Sequence, residues 1–154
     1  MKLKQLNILL ADDDKDDRFF FDKALKALPI PTQLTTVEDG QELMDYLTKN
    51  SENLPDVLFL DLNMPRKKGS ECLSEINLHP KLKYLPVIIY STSLHENVAD
   101  QLYKNGAYYY VQKTDFVELE KLLHFILTMM MKKNITRPTR ENFVLNINKP
   151  EMIK

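Results

Sequence analysis

The sequence predicts an α/β protein: five strands in a doubly wound parallel sheet, with five helices divided between its faces. Three observations carry that expectation. Apolar runs of strand length alternate with stretches of helical spacing five times along the chain, the pattern of a parallel sheet covered on both sides. The central run, Pro55-Asp56-Val57-Leu58-Phe59-Leu60, is continuously apolar from Val57 and lacks the alternation of a half-exposed strand. Polar residues then follow directly on strand ends: Asp12-Asp13 on the first, Asp61 on the third, Ser91 on the fourth and Lys113 on the fifth. In open α/β sheets that carboxyl edge is where ligands bind.

Each element has its own signal. Leu6 to Ala11 form the first strand, which runs into Asp12-Asp13-Asp14. Asp14 is placed to cap the first helix, with Asp16 and Asp17 in its first turn, where negative charge meets the helix dipole. That helix should turn Phe19, Phe20, Ala24, Leu25 and Leu28 inward and stop before Pro29-Ile30-Pro31. The second strand is Gln33 to Val37, and after the turn Glu38-Asp39-Gly40 the residues Leu43, Met44 and Leu47 give the second helix its apolar stripe. Past the central strand, Pro65 and Arg66-Lys67-Lys68 stop its continuation, and a third helix over about 70–78 ends before Pro80. The fourth strand is Pro86 to Tyr90, and the fourth helix, about 95–104, closes at Asn105-Gly106. Ala107 to Gln112 make the fifth strand, and the last helix, about 115–131, carries Phe116, Leu119, Leu122, Leu123, Phe125 and Ile126 on its apolar face.

Composition bounds the class. Apolar residues at 44% and charged ones at 28% are those of a globular domain, and 154 residues suffice for one full core. The apolar runs are too short for a membrane span, and Met1-Lys2-Leu3-Lys4-Gln5 has no signal-peptide core, so a cytoplasmic protein is expected. Cys72 is the only cysteine, which excludes an intrachain disulfide and a cysteine metal cage. Six Lys/Arg against two Glu give residues 132–154 a balance of +4 and leave −5 on residues 1–131. We divide the chain there, into a folded domain over 1–131 and a basic, solvated C-terminal tail over 132–154. Within the tail, Phe143-Val144-Leu145-Asn146-Ile147 is apolar enough to form a strand or to pack on a neighbour. Nothing after the last helix is long enough for a DNA-binding domain, and His79, His95 and His124 lack ligand spacing.

The carboxyl edge points to a chemistry. Carboxylates gathered there repel one another unless a cation neutralises them. Mg²⁺ suits best, since it accepts a few carboxylates, keeps waters and welcomes a phosphoryl oxygen. Lys113 and the Ser91 hydroxyl make sense if a dianionic phosphoryl group arrives at the same place.

The set Asp12-Asp13, Asp61-Leu62-Asn63-Met64-Pro65, Ser91-Thr92, Tyr110 and Lys113, in that order and at these spacings, resembles the receiver domain of two-component response regulators. The resemblance covers about residues 6–130, and Glu38-Asp39-Gly40 and Asn105-Gly106-Ala107 fit it as well. It implies the flavodoxin-like strand order 2-1-3-4-5. It also implies that Asp61 is the phosphoacceptor, attacking the phosphorus of a phosphohistidine on a sensor histidine kinase or a histidine phosphotransfer protein. Mg²⁺ would be held by Asp13 directly, by Asp12 through water, by Asp61 and by the Asn63 backbone carbonyl. Lys113 would pair with Asp61 and then with the phosphoryl group, and the Ser91 hydroxyl would reach a phosphoryl oxygen. Ser91 stands where Thr is usual, and without a γ-methyl its rotamer is less restricted. Thr92 occupies a small-residue position, while Asn63 and Ser93 would tune phosphoryl lifetime. Tyr110 is similar to the family's aromatic switch, which moves inward when Ser91 is drawn toward the phosphoryl group. On the residues alone it also reads as an edge-strand tyrosine that packs its ring and wets its hydroxyl. One position departs from the family: Thr114 follows Lys113 where a proline with a cis bond is usual, leaving a trans peptide or a costly cis one.

The expected function is a bacterial single-domain response regulator that catalyses only its own phosphorylation and dephosphorylation. Its output surface would be the fourth helix, fifth strand and fifth helix, and the sequence leaves monomer and homodimer open. Two other readings share parts of the chemistry. A phosphatase of the haloacid-dehalogenase type also forms an aspartyl phosphate, but wants a second carboxylate where this chain has Asn63. A flavin- or nucleotide-binding module shares the fold class, but Gly40, Gly69 and Gly106 are the only glycines and none makes a glycine-rich first turn.

Overall fold

A computed structural model describes residues 5–132 and 135–145. The elements run β1 (Leu6–Ala11), α1 (Lys15–Lys26), β2 (Thr32–Val37), α2 (Gly40–Lys49), β3 (Val57–Leu60), α3 (Gly69–Leu78), β4 (Val87–Ser91), α4 (Glu96–Lys104), β5 (Tyr109–Gln112) and α5 (Phe116–Met131). Short 3-10 turns at Leu82–Tyr84 and Arg140–Asn142 were not anticipated from the sequence.

The five strands are parallel, in the order β2-β1-β3-β4-β5. Side chains alternate across such a sheet, and the two cores divide accordingly. Val57 and Phe59 of β3 face α1 and α5, joined by Ile8, Leu10, Ile88, Tyr90 and Val111. Leu58 and Leu60 face α2, α3 and α4, joined by Leu9, Ala11, Val87, Ile89 and Tyr110. All of β3 is buried, so a single period-two residue set would not have sufficed.

The inward face of α1 differs from the expectation. Phe19 and Phe20 are 60% and 47% exposed, and the buried ring is Phe21, which joins Ala24 and Leu25. Phe21 meets Phe59 at 5.0 Å and Tyr90 at 5.9 Å between ring centroids, so the positions i, i+3 and i+4 that face the sheet start one residue later. On α5, Phe116 and Phe125 are only partly buried, and Leu127 and Met130 complete the stripe.

Residues 135–145 are not a solvated tail. They turn back against α4 and β5, where Phe143 and Leu145 are buried and Val144 forms a parallel bridge with Tyr110. Asn146 and Ile147, the rest of the apolar stretch, lie outside the described residues.

Candidate functional site

Strand β1 ends at Ala11, and the chain then changes direction through three acids. The Asp14 carboxylate accepts from the amides of Asp16 and Asp17 at 2.8 and 3.1 Å, so this residue is the α1 cap. The Asp14 amide in turn donates to Asp12 Oδ1 at 2.9 Å, which aims the Asp12 side chain back over the sheet edge. Arg18 supports the turn from behind, donating to the Asp12 carbonyl and to Glu38 at 2.8 and 2.9 Å.

Asp61 is tied to the same edge by its amide, which donates to the Ala11 carbonyl at 3.0 Å. Its Oδ1 accepts from the Asn63 amide at 3.2 Å. The loop that follows passes through Arg66, in the left-handed region at φ 69°, and folds back so that the Gly69 amide meets the Leu62 carbonyl at 3.1 Å. A Cβ on Gly69 would lie 2.1 Å from the Asp61 carbonyl oxygen, so only glycine lets the start of α3 pass this close. The sequence places Gly69 just before the third helix and carries no signal that it walls the site.

These turns bring carboxylate oxygens of Asp12, Asp13 and Asp61 within 4.8 Å of one another. Asp12 is fully buried and Asp61 is 4% exposed, while Asp13 is open to solvent. Burial pushes the Asp12 and Asp61 carboxyls above the ordinary range, and the nearby Lys113 only partly offsets it. Lys113 Nζ lies 2.9 Å from Asp12 Oδ2, 2.9 Å from Asp17 Oδ2 and 3.5 Å from Asp61 Oδ2. Burial alone would lower the Lys113 pKa, but its bonds to Asp12 and Asp17 outweigh that and leave it raised. Asp17, read from the sequence only as a first-turn acid, is thus part of the cluster.

Two buried atoms lack a neutral hydrogen-bond partner among the described residues: Asp12 Oδ2, which meets only the Lys113 ammonium at 2.9 Å, and Ser91 Oγ, which meets none. The first is held only by the charge of Lys113; the second ends β4 as an unused donor beside the acid cluster's strand. Unpaired buried polar atoms are costly and call for an explanation. An arriving oxyanion would take the hydroxyl, and a hard cation would take the free carboxylate lone pairs. The oxygen donor set fits Mg²⁺ on that ground.

The flanking residues fall on the same edge. Lys113 donates its amide to the Ser91 carbonyl at 2.7 Å, and its peptide to Thr114 is trans, since no cis bond occurs among the described residues. Thr92 is exposed and its carbonyl accepts from Gln112. Asn63 is exposed and Ser93 half-buried. Tyr110 is on the opposite face from Lys113, fully buried, with its hydroxyl donating to the Ser93 carbonyl at 2.8 Å. It is therefore neither wetted nor outward; the ring already occupies the interior.

A parallel sheet of this order carries acids, a hydroxyl and a lysine together on its carboxyl edge, and the sequence comparison assigns such a chain to a family. Residues 8–125 match the family described as response regulator receiver domain, and the chain belongs to that family. Among curated proteins it is similar to the response regulator Rcp1 of Synechocystis sp., 37% identical over 94 residues, which is 58% of this chain and 64% of Rcp1. The chain thus spans just under two thirds of that relative. Among solved structures, the Mn²⁺-bound form of Rcp1 is 31% identical with a TM-score of 0.74, over 87% of this chain and 99% of that one. The phosphorylated cyanobacterial phytochrome response regulator RcpA is 32% identical with a TM-score of 0.75, over 88% and 100%. The phosphatase and flavin-module readings find no support in these matches, and among the described residues no helix is long and apolar enough to cross a membrane.

Proposed function

We propose that this receiver domain takes a phosphoryl group onto Asp61 from the phosphohistidine of a sensor histidine kinase or a histidine phosphotransfer protein. The observation that carries the reading is the meeting of three carboxylates, one lysine and one unpartnered buried hydroxyl at the sheet's carboxyl edge. One oxygen of Asp61 attacks phosphorus as the P–N bond breaks, the imidazole keeps the electron pair and takes up a proton, and an acyl phosphate remains. Asp12, Asp13, Asp61 and the Asn63 carbonyl would hold Mg²⁺, which when bound offsets charge on the transferring group. Asp12 and Asp13 orient, and Lys113 leaves its place between Asp12 and Asp17 to meet the new oxyanion. Ser91 donates its free hydroxyl to the same group. The exposed Asn63 and the half-buried Ser93 bound the path for hydrolytic water, and Thr92 sits beside it. No other substrate is turned over, so the chain acts as a switch rather than as an enzyme on external molecules.

The domain proper is taken as residues 1–131, with 132–154 as an extension of it, in the cytoplasm. Its output would be read on α4, β5 and α5, through Tyr110. The Mn²⁺-bound form of Rcp1 and the phosphorylated form of RcpA support the metal and the modification by kinship. Fluorine NMR with beryllofluoride tests the reading: a bound signal is expected in the parent with Mg²⁺. It should be absent without Mg²⁺ and absent in Asp61→Asn. Equal binding by Asp61→Asn would refute the assignment.

A further inference from the structure

The proposed output face is already covered by the chain itself. After α5, residues 137–145 run across α4 and along the outer edge of β5. Arg137 donates to the Ala107 carbonyl at 3.1 Å and stacks its guanidinium 3.8 Å from the Tyr103 ring centroid. The Tyr103 hydroxyl donates to the Pro138 carbonyl at 2.8 Å. Arg140 donates to Asp100 and to Glu96 on α4, both at 2.8 Å. Phe143, with no exposed surface, wedges between Tyr103 and Tyr110, at 5.2 and 6.2 Å between centroids.

The main chain completes the fit. β5 is the edge strand, and both outward groups of Tyr110 are taken: its amide donates to the Phe143 carbonyl and its carbonyl accepts from the Leu145 amide, each at 3.0 Å. This is strand addition to an open edge, with side-chain pockets setting the register. The segment Arg137-Pro138-Thr139-Arg140-Glu141-Asn142-Phe143-Val144-Leu145 therefore behaves as a bound peptide: Arg140 for the α4 carboxylates, Arg137 for the Tyr103 ring, one aromatic for a pocket, backbone for the edge.

The same contacts lead to the acid cluster. Tyr110 is held by Phe143 on one side and by the Ser93 carbonyl on the other, and Ser93 is two residues from the unpartnered Ser91 hydroxyl. Drawing Ser91 toward a phosphoryl group moves the Ser93 carbonyl, and with it the tyrosine on which Phe143 rests. We propose that residues 137–145 are an intramolecular ligand that closes the α4–β5 face while Asp61 is free and gives it up when Asp61 is phosphorylated. The face is then open to a partner presenting an extended, basic segment with one aromatic anchor. The proposal rests on Asp61 being the phosphoacceptor.

Amide hydrogen exchange at Leu145 and Tyr110 in the full chain tests it. With Mg²⁺ alone both amides should be protected. Adding beryllofluoride should speed Leu145 exchange by about tenfold or more, and should leave Asp61→Asn unchanged. Arg140→Glu, which sets a carboxylate against Glu96 and Asp100, should free Leu145 without beryllofluoride yet still bind it. Phe143→Ala should do the same where it folds. Unprotected Leu145 in the parent overturns the closed state. Undiminished protection when fluorine NMR shows beryllofluoride bound overturns the coupling and leaves the phosphoacceptor reading standing. Absence of that bound signal overturns both. Protection that depends on protein concentration, as when the segment seats on a second copy, overturns the intramolecular assignment.

Discussion

At the residue scale the site is a charge balance around Lys113. Its ammonium group faces Asp12, Asp17 and Asp61, and without it two buried carboxylates would stand unpaired. Removing one partner of a buried ion pair typically costs more than the pair ever contributed. Lys113→Met should therefore lose about 3 kcal/mol at neutral pH without metal, and recover part of it in Mg²⁺. Urea unfolding with and without the ion checks this; an equal loss in both conditions would contradict it. Asp12, Asp13, Asp61, Ser91 and Lys113 were legible in the sequence because each directly follows a strand end. Asp17 was not, because it meets Lys113 from 96 residues away and looks locally like any first-turn acid. Nor could the sequence show that the Ser91 hydroxyl is left without a partner, which is a property of its surroundings.

At the scale of elements, the site depends on how closely the loop after β3 returns. Gly69 starts α3 against the Asp61 carbonyl, and Gly69→Ala must push one of them away. Overpacking of that kind costs about 3 kcal/mol, and here the displaced group is the backbone of Asp61, the proposed phosphoacceptor. The variant should unfold at lower urea and bind beryllofluoride more weakly; parental values on both would show that the loop gives way freely. The order of strands and helices was readable from alternation and punctuation alone. The rotation of α1 was not, because Phe19, Phe20 and Phe21 are equivalent until Phe59 and Tyr90 choose one of them. The fate of residues 137–145 was half readable: their apolar stretch asked for a surface, but only the fold shows that α4 and the β5 edge supply it.

At the scale of the whole molecule, stability should depend on pH and metal together. The folded-state pKa values of Asp12 and Asp61 are raised, so their contribution is greatest below the ordinary carboxylate range and is lost as pH rises through the raised values. Lys113, also raised, contributes fully until pH passes its ordinary value of 10.5. A cation that binds only the ionised cluster must then stabilise at neutral pH and do little in acid. Thermal unfolding should show a clear gain with Mg²⁺ at neutral pH and almost none at about pH 4; a gain of the same size at both would place the ion elsewhere. All of this follows from one claim, that Asp61 receives the phosphoryl group. Incubation with phosphoramidate and Mg²⁺, followed by borohydride reduction and peptide mass mapping, tests it most directly. One acyl phosphate per chain is expected, mapped to residue 61 and abolished by Asp61→Asn or by chelation. A label on Asp12 or Asp13 in the parent, or undiminished labelling of Asp61→Asn, would contradict it.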